Sequence, residues 1–146
     1  EAVSKVKWFA SNNGCGTWYA CASRGRRGQG KTLRMHQFLT GFAETDHIDC
    51  NGLNNQRRNL RGCNRTQNMG NRGIQKNNRS GFKGVYFGDS GWIAQIGMGR
   101  GIRKYLGSFA TPVLAAMAYN EAALQYFGEF ARPNIILPLK DKEKHG

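Results

Sequence analysis

The apolar positions fall in short runs, and the spacing within them changes along the chain. "KWFASNNGCGTWYACASR", residues 7–24, alternates weakly about Asn12-Asn13-Gly14 and predicts two short strands joined by a turn. "GRRGQGKT", residues 25–32, is glycine-rich and basic, but no buried strand precedes it as one would a phosphate loop. It reads as a hairpin tip that could touch a nucleic-acid backbone. "LRMHQFLTG" is a short apolar-faced segment closed by Gly41, and "TDHID" is a short β-type run before the turn signal Asn51-Gly52. "NLRGC" is the expected returning strand, and Asn64 or Thr66 can cap a short helix starting near "NRTQN". The outcome is a strand, turn, strand, helix unit.

Residues 72–81, "RGIQKNNRSG", show no periodicity and read as a basic linker. Beyond them "FKGVYF", "GWIAQIGM" and "RKYLGSF" predict an antiparallel meander of three strands. Thr111-Pro112 opens a helix, a capping hydroxyl before proline at the first helical position. Leu114, Ala118, Ala122 and Tyr126, four apart, mark its apolar stripe, and Gly128 ends it. The fold class is α+β: a small strand-strand-helix module, then a three-stranded antiparallel sheet packed on one α-helix. The expected divisions are 1–71, a linker at 72–79, a second module at 80–134, and a frayed charged tail at 135–146, with His145 solvated.

Charge sharpens this picture. The 146 residues carry a formal net charge of +13, and between Cys50 and Phe109 eleven basic residues face one acid, Asp89. A polyanion is the expected partner. No apolar run approaches the roughly 18 to 20 residues of a spanning helix, which favours nucleic acid over a membrane. Cys15, Cys21, Cys50 and Cys63 include no C-x-x-C pair, so reduced thiols in a cytoplasmic protein are expected and a zinc site is not. Because the chain starts at Glu1 rather than Met, a leader is expected before it.

The sharpest chemistry lies in "TDHIDCNGLNNQRRNLRGCNRTQN", residues 45–68. Hydrolysis of a phosphodiester needs a base for water, a hard cation at the phosphate, and oxygen ligands to hold it. An imidazole with a pKa near 6.5 suits the first role, and carboxylate and amide oxygens suit Mg²⁺ or Mn²⁺. Asp46 and His47 are adjacent, so on a flat strand they would point apart unless the backbone bends.

"MHQFLTG" with the 45–68 stretch resembles the HNH (ββα-metal) nucleases, in particular the homing-type enzymes of phages and introns. The resemblance implies Asp46 and Asn68 as metal ligands and His47 as the general base, with Asn59 holding the histidine loop. His36 falls at the family's Met-His-Arg position, with Gln37 in place of the arginine, and is expected in a supporting catalytic role. The final asparagine, where other branches have histidine, fits oxygen-bound Mg²⁺ or Mn²⁺ rather than zinc. Asp49 reads as a hairpin residue rather than a ligand, and Arg57, Arg58, Arg61 and Arg65 as clamps on flanking phosphates.

"GVY", "W.AQI", "YLGSF.T...AA.AYN.AA" and "G..A..N", within residues 80–134, resemble the Apetala-two/ethylene-response-factor DNA-binding domain. That family lays its sheet into the major groove, which implies Lys83, Tyr86, Gln95, Arg103 and Tyr105 as DNA-facing. Phe87 and Gly88 stand where plant members carry arginines, so base readout is expected to differ. Trp92, Ile96, Leu106 and Phe109 are expected in the core under the helix.

The functional expectation is a metal-dependent homing-type endonuclease acting on double-stranded DNA, nicking one strand per site. It would be a monomer or weak homodimer in the cytoplasm of a bacterial or phage-infected cell. The alternative is a non-catalytic, sequence-specific DNA-binding regulator, and an RNA-directed role ranks behind both.

Overall fold

A computed structural model describes residues 3–25 and 30–137 of the chain. Part of the expected glycine-rich tip, residues 26–29, and the tail from residue 138 lie outside the described residues. The chain divides into two units, Glu1–Arg72 and Gly73–Gly146.

In the first unit the turn at Asn12-Asn13-Gly14 forms because the Asn13 side-chain oxygen accepts from the Cys15 and Thr17 amides, with Gly14 at φ +80°. It joins β1 (Phe9–Asn12) to β2 (Trp18–Arg24). A strand not foreseen, β3 (Lys31–Arg34), pairs antiparallel with the far edge of β2. The segment expected to be one apolar-faced element therefore splits, because α1 (Met35–Thr40) starts directly after β3 and stops at Gly41 in the left-handed region. The Thr40 hydroxyl, 2.9 Å from that of Thr45, ties α1 to β4 (Thr45–His47).

β4 pairs antiparallel with β5 (Leu60–Gly62), and α2 (Arg65–Gly70) follows. Asn64 caps α2 through a reciprocal pair: its side chain accepts from the Gln67 amide while the Gln67 side chain accepts from the Asn64 amide. Asn51-Gly52 does not make the tight hairpin expected of it. The connection runs from residue 48 to residue 59, leaving β4 where Cys50, at φ +62°, donates its amide to the His47 carbonyl. Gly52 is instead a point of close approach, where a Cβ would collide with the Trp18 carbonyl oxygen and the Tyr19 ring.

In the second unit residues 73–84 hold turns but no helix or strand. The meander is β6 (Val85–Gly88), β7 (Gly91–Gly99) and β8 (Ile102–Phe109), antiparallel and in sequence order. α3 (Pro112–Phe127) begins with the Thr111 hydroxyl accepting from the Leu114 amide. Val85, Ala94, Ala115 and Ala116 form the centre of the core, flanked by Trp92, Leu106 and Phe109, and Ile96 is fully buried.

The apolar stripe expected on α3 is one residue out of phase. Leu114 and Tyr126 are 47% and 43% exposed, whereas Ala115, Tyr119, Ala123 and Phe127 are buried. A helix with alanine or larger apolar residues on every side offers periodicity little to choose from, and the small residues go where the sheet comes closest. Asn134 closes the unit, pairing with the Lys83 amide and carbonyl and with the Asn120 side chain.

Gly84 shows how tight the packing is. At φ +76°, a Cβ there would run into the Tyr119 ring and the Gln95 carbonyl oxygen. Gly84→Ala is expected to cost the second unit at least about 2 kcal/mol in denaturant unfolding. Gly81→Ala, at φ +77° with open space around it, should cost about 1 kcal/mol. Equal losses at the two positions would contradict the close approach.

Candidate active site in the first unit

Two adjacent residues of β4, Asp46 and His47, are 5% and 6% exposed. A carboxylate so placed needs countercharge and donors. Cross-strand pairing sets Arg61 opposite Asp46, and its Nε and a terminal nitrogen donate to Oδ2 at 2.9 and 2.8 Å. From the end of α2, the Asn71 Nδ2 donates to Oδ1 and Oδ2, both at 3.0 Å, and to the His47 carbonyl at 2.9 Å. Asn71 is itself 4% exposed.

The His47 ring lies in an aromatic cluster. His36, from the first turn of α1, stands edge-on to it with centroids 4.9 Å apart, and Tyr19 of β2 lies 5.5 Å from His36 and 6.0 Å from His47. His36 is 3% exposed, and its Nδ1 is the one buried side-chain nitrogen or oxygen without a hydrogen-bond partner among the described residues. Burial, then the neighbouring His47 and Arg34, lower the His36 pKa to about 4, so the ring is neutral at pH 7. The Nε2 of His47 lies 3.3 Å from the Asn55 side-chain oxygen.

Asp49 organises the loop after β4. Its carboxylate accepts from the Asn51 amide and from the side-chain amides of Asn54 and Asn59, at 2.7 to 2.8 Å. Asn59 also donates to the Asn54 carbonyl and accepts from the Asp49 amide, so it joins both ends of the loop. Burial works to raise the Asp49 pKa, but these hydrogen bonds and His47 outweigh it and hold the carboxyl below its usual range.

The predicted site residues thus divide. Asp46, His47, His36 and Asn59 come together around β4. Arg61, read as a phosphate clamp, is committed to Asp46 and has a side chain only 17% exposed. Arg57 donates to the Leu39 carbonyl near the end of α1, while Arg58 and Arg65 are exposed and make no side-chain hydrogen bond or ion pair among the described residues. Asn68 is half-buried on α2, and its side chain makes no hydrogen bond there; Asn71, three residues on, is the helix residue that reaches Asp46. Sequence reading also missed Tyr19 and Asn55, whose placement depends on tertiary contacts.

In the second unit, strand register puts Tyr86, Gln95, Arg103 and Tyr105 on the sheet face away from α3. Lys83 precedes β6 instead, half-buried, with its ammonium 5.8 Å from the centroid of the Tyr119 ring.

Among the described residues no three His, Cys, Asp or Glu side chains could hold a metal together. The side-chain oxygens near the end of β4 include those of Asp46, Asp49 and the asparagines, and Asp46 Oδ1 receives only one of these hydrogen bonds, which leaves it a lone pair. Oxygen donors of this kind suit a hard cation that keeps most of its water.

Over 134 residues, 92% of its length, the chain is 31% identical to an uncharacterized HNH endonuclease of Acanthamoeba polyphaga mimivirus, of which it spans 70%. The chain belongs to the family of this viral protein. It is also 34% identical over 126 residues to a putative dehydration-responsive element-binding protein of Arabidopsis thaliana, spanning 77% of it. A shorter match, 38% identical over 58 residues, is to an ethylene-responsive transcription factor of the same plant, of which the chain spans 36%. No family model and no solved structure matches the chain. One of these relatives is named as an endonuclease, the others as an element-binding protein and a transcription factor.

The depressed His36 pKa gives stability a pH dependence of known sign. The unfolded ring takes a proton near 6.5 and the folded ring only near 4, so stability is intact above 6.5 and falls as pH drops toward 4. Between pH 7 and pH 5 the loss is expected to be about 1–2 kcal/mol. Urea unfolding at both values should show it for the native chain and show it reduced for His36→Phe. An unchanged difference in the variant would refute the assignment.

Proposed function

We propose that the chain is a metal-dependent HNH endonuclease that hydrolyses phosphodiester bonds of double-stranded DNA, nicking one strand per site. The observation that carries this reading is the placement side by side, at the end of β4, of a buried carboxylate and a buried imidazole. In this reading His47 takes the proton of the attacking water as its oxygen bonds to phosphorus and the bond to the leaving ribose oxygen breaks. Asp46 and Asn68 would hold Mg²⁺ or Mn²⁺, which neutralises charge at the phosphate and leaving oxygen. Asn59 keeps the loop in place around His47, and neutral His36 supports the ring from behind without adding a competing charge. Arg57, Arg58 and Arg65 are the phosphate clamps, and Arg61 is a support for Asp46.

The second unit is read as the part that holds the duplex, through Tyr86, Gln95, Arg103 and Tyr105 on its open face, with Lys83 at the margin. One observation favours a second reading, a regulator that binds DNA without cutting it. That open face is complete without the first unit, and several relatives are named as binding or transcription factors.

Supercoiled plasmid incubated with the chain and Mg²⁺ or Mn²⁺ should yield nicked circles. His47→Ala should lower the nicking rate by about 10²-fold or more while DNA binding persists. A variant that cuts at the native rate would end the mechanism, and binding without cleavage across many DNA substrates would favour the regulator. Affinity should fall linearly in log-log form as salt rises, because phosphate contacts release counterions. An affinity indifferent to salt would rule out the arginine clamps.

A further inference from the structure

Two hydrogen bonds of Asn55 determine which nitrogen of His47 carries the proton. The Asn55 Nδ2 donates to the Leu53 carbonyl at 3.2 Å, and its Oδ1 faces the His47 Nε2 at 3.3 Å. Rotating the amide by half a turn would set its oxygen against the Leu53 carbonyl oxygen, two acceptors in contact, so the orientation is fixed. An amide oxygen only accepts. The imidazole nitrogen opposite it must therefore be the one bearing hydrogen, and in the neutral ring the lone pair then belongs to Nδ1.

The remainder of the ring's surroundings agrees. The Nδ1 of His47 makes no hydrogen bond, yet it is not among the sealed atoms, since His36 Nδ1 alone is buried without a partner among the described residues. The His47 Nδ1 is thus not fully enclosed, and its lone pair has no partner among the described residues. On the other side, His36 and Tyr19 present ring edges and faces, and neither forms a hydrogen bond to His47. Asn55 is the side chain whose hydrogen bonding selects the tautomer.

We infer that Asn55 is a positioning residue that holds His47 as its Nε2–H tautomer and leaves Nδ1 as the atom that takes the proton from water. The inference rests on the reading of His47 as the base, but the tautomer itself can be observed without any cleavage. The side chain also holds its hydrogen bond after the proton has moved, because Nε2 remains a donor in the imidazolium.

The test uses the full chain with ¹⁵N-labelled histidine and long-range ¹H–¹⁵N spectra at a pH where His47 is neutral. The native protein should show His47 protonated at Nε2. In Asn55→Ala the ratio of Nε2–H to Nδ1–H should fall by about fivefold, the worth of one ordinary hydrogen bond. Plasmid nicking should fall by a similar factor with DNA affinity unchanged. Asn55→Asp keeps an acceptor at the same place and should restore both the tautomer and the rate relative to alanine. A native spectrum with hydrogen on Nδ1, or an alanine variant with the native tautomer ratio, would overturn the inference. If the tautomer shifts as expected but neither protein cuts DNA, the positioning role stands and the nuclease reading falls.

Discussion

One side-chain amide holds the geometry of the first unit. Asn71, at the end of α2, gives its Nδ2 hydrogens to both oxygens of Asp46 and to the His47 carbonyl, with the Ile48 carbonyl at 3.4 Å. These acceptors lie on three consecutive residues, so one donor sets the approach of helix to strand and the angle at which β4 ends. Removing it would leave a buried carboxylate and a buried carbonyl each short of a donor, at about 1–3 kcal/mol apiece. Arg61 supplies the charge that Asn71 lacks, from the opposite strand. With both in place Asp46 has a fixed orientation, and His47 inherits it through the backbone.

A second carboxylate organises the neighbouring polar loop. Of the few acids in this basic chain, Asp49 is used within the loop, where it gathers the Asn51 amide and the side chains of Asn54 and Asn59. The asparagines that crowd residues 51–59 therefore have definite partners. Asn54 and Asn59 bind the carboxylate and each other, and Asn55 faces the imidazole. A loop built this way holds a histidine without a helix or a long strand behind it, which suits a β4 of only three residues.

The parts legible in the sequence are those whose causes are local. Asn64 with Gln67, Thr111 with Pro112, Gly41 after α1 and the three-strand meander all announce themselves within a few residues, because caps and turns satisfy nearby backbone groups. Asp46, His47, His36 and Asn59 were singled out by the resemblance of their motif, and the fold brings them together around β4. Asn71, Tyr19, Asn55 and the Arg61 pairing were not found, since each acts through a partner on another element. The phase of α3 was misread for a related reason: alanines fit either side of a helix, and only the sheet chooses.

The sheet of the second unit depends on a detail of the same kind. Ala94 pairs with Gly107, but Gln95 pairs with Tyr105, so Leu106 is an extra residue on β8. Without that bulge the alternation from Phe109 and Gly107 would carry Tyr105 and Arg103 to the helix side. With it, Leu106 packs toward the core while Tyr105 and Arg103 join Gln95 and Tyr86 on the open face. Gly107 takes φ +141° at this point, and a Cβ there would press on the Phe109 ring. The residues proposed to meet DNA are therefore set by one inserted residue beside a glycine. A change at Gly107 that removed the bulge would turn the cationic and aromatic side chains of β8 inward, toward α3, while leaving their identity untouched.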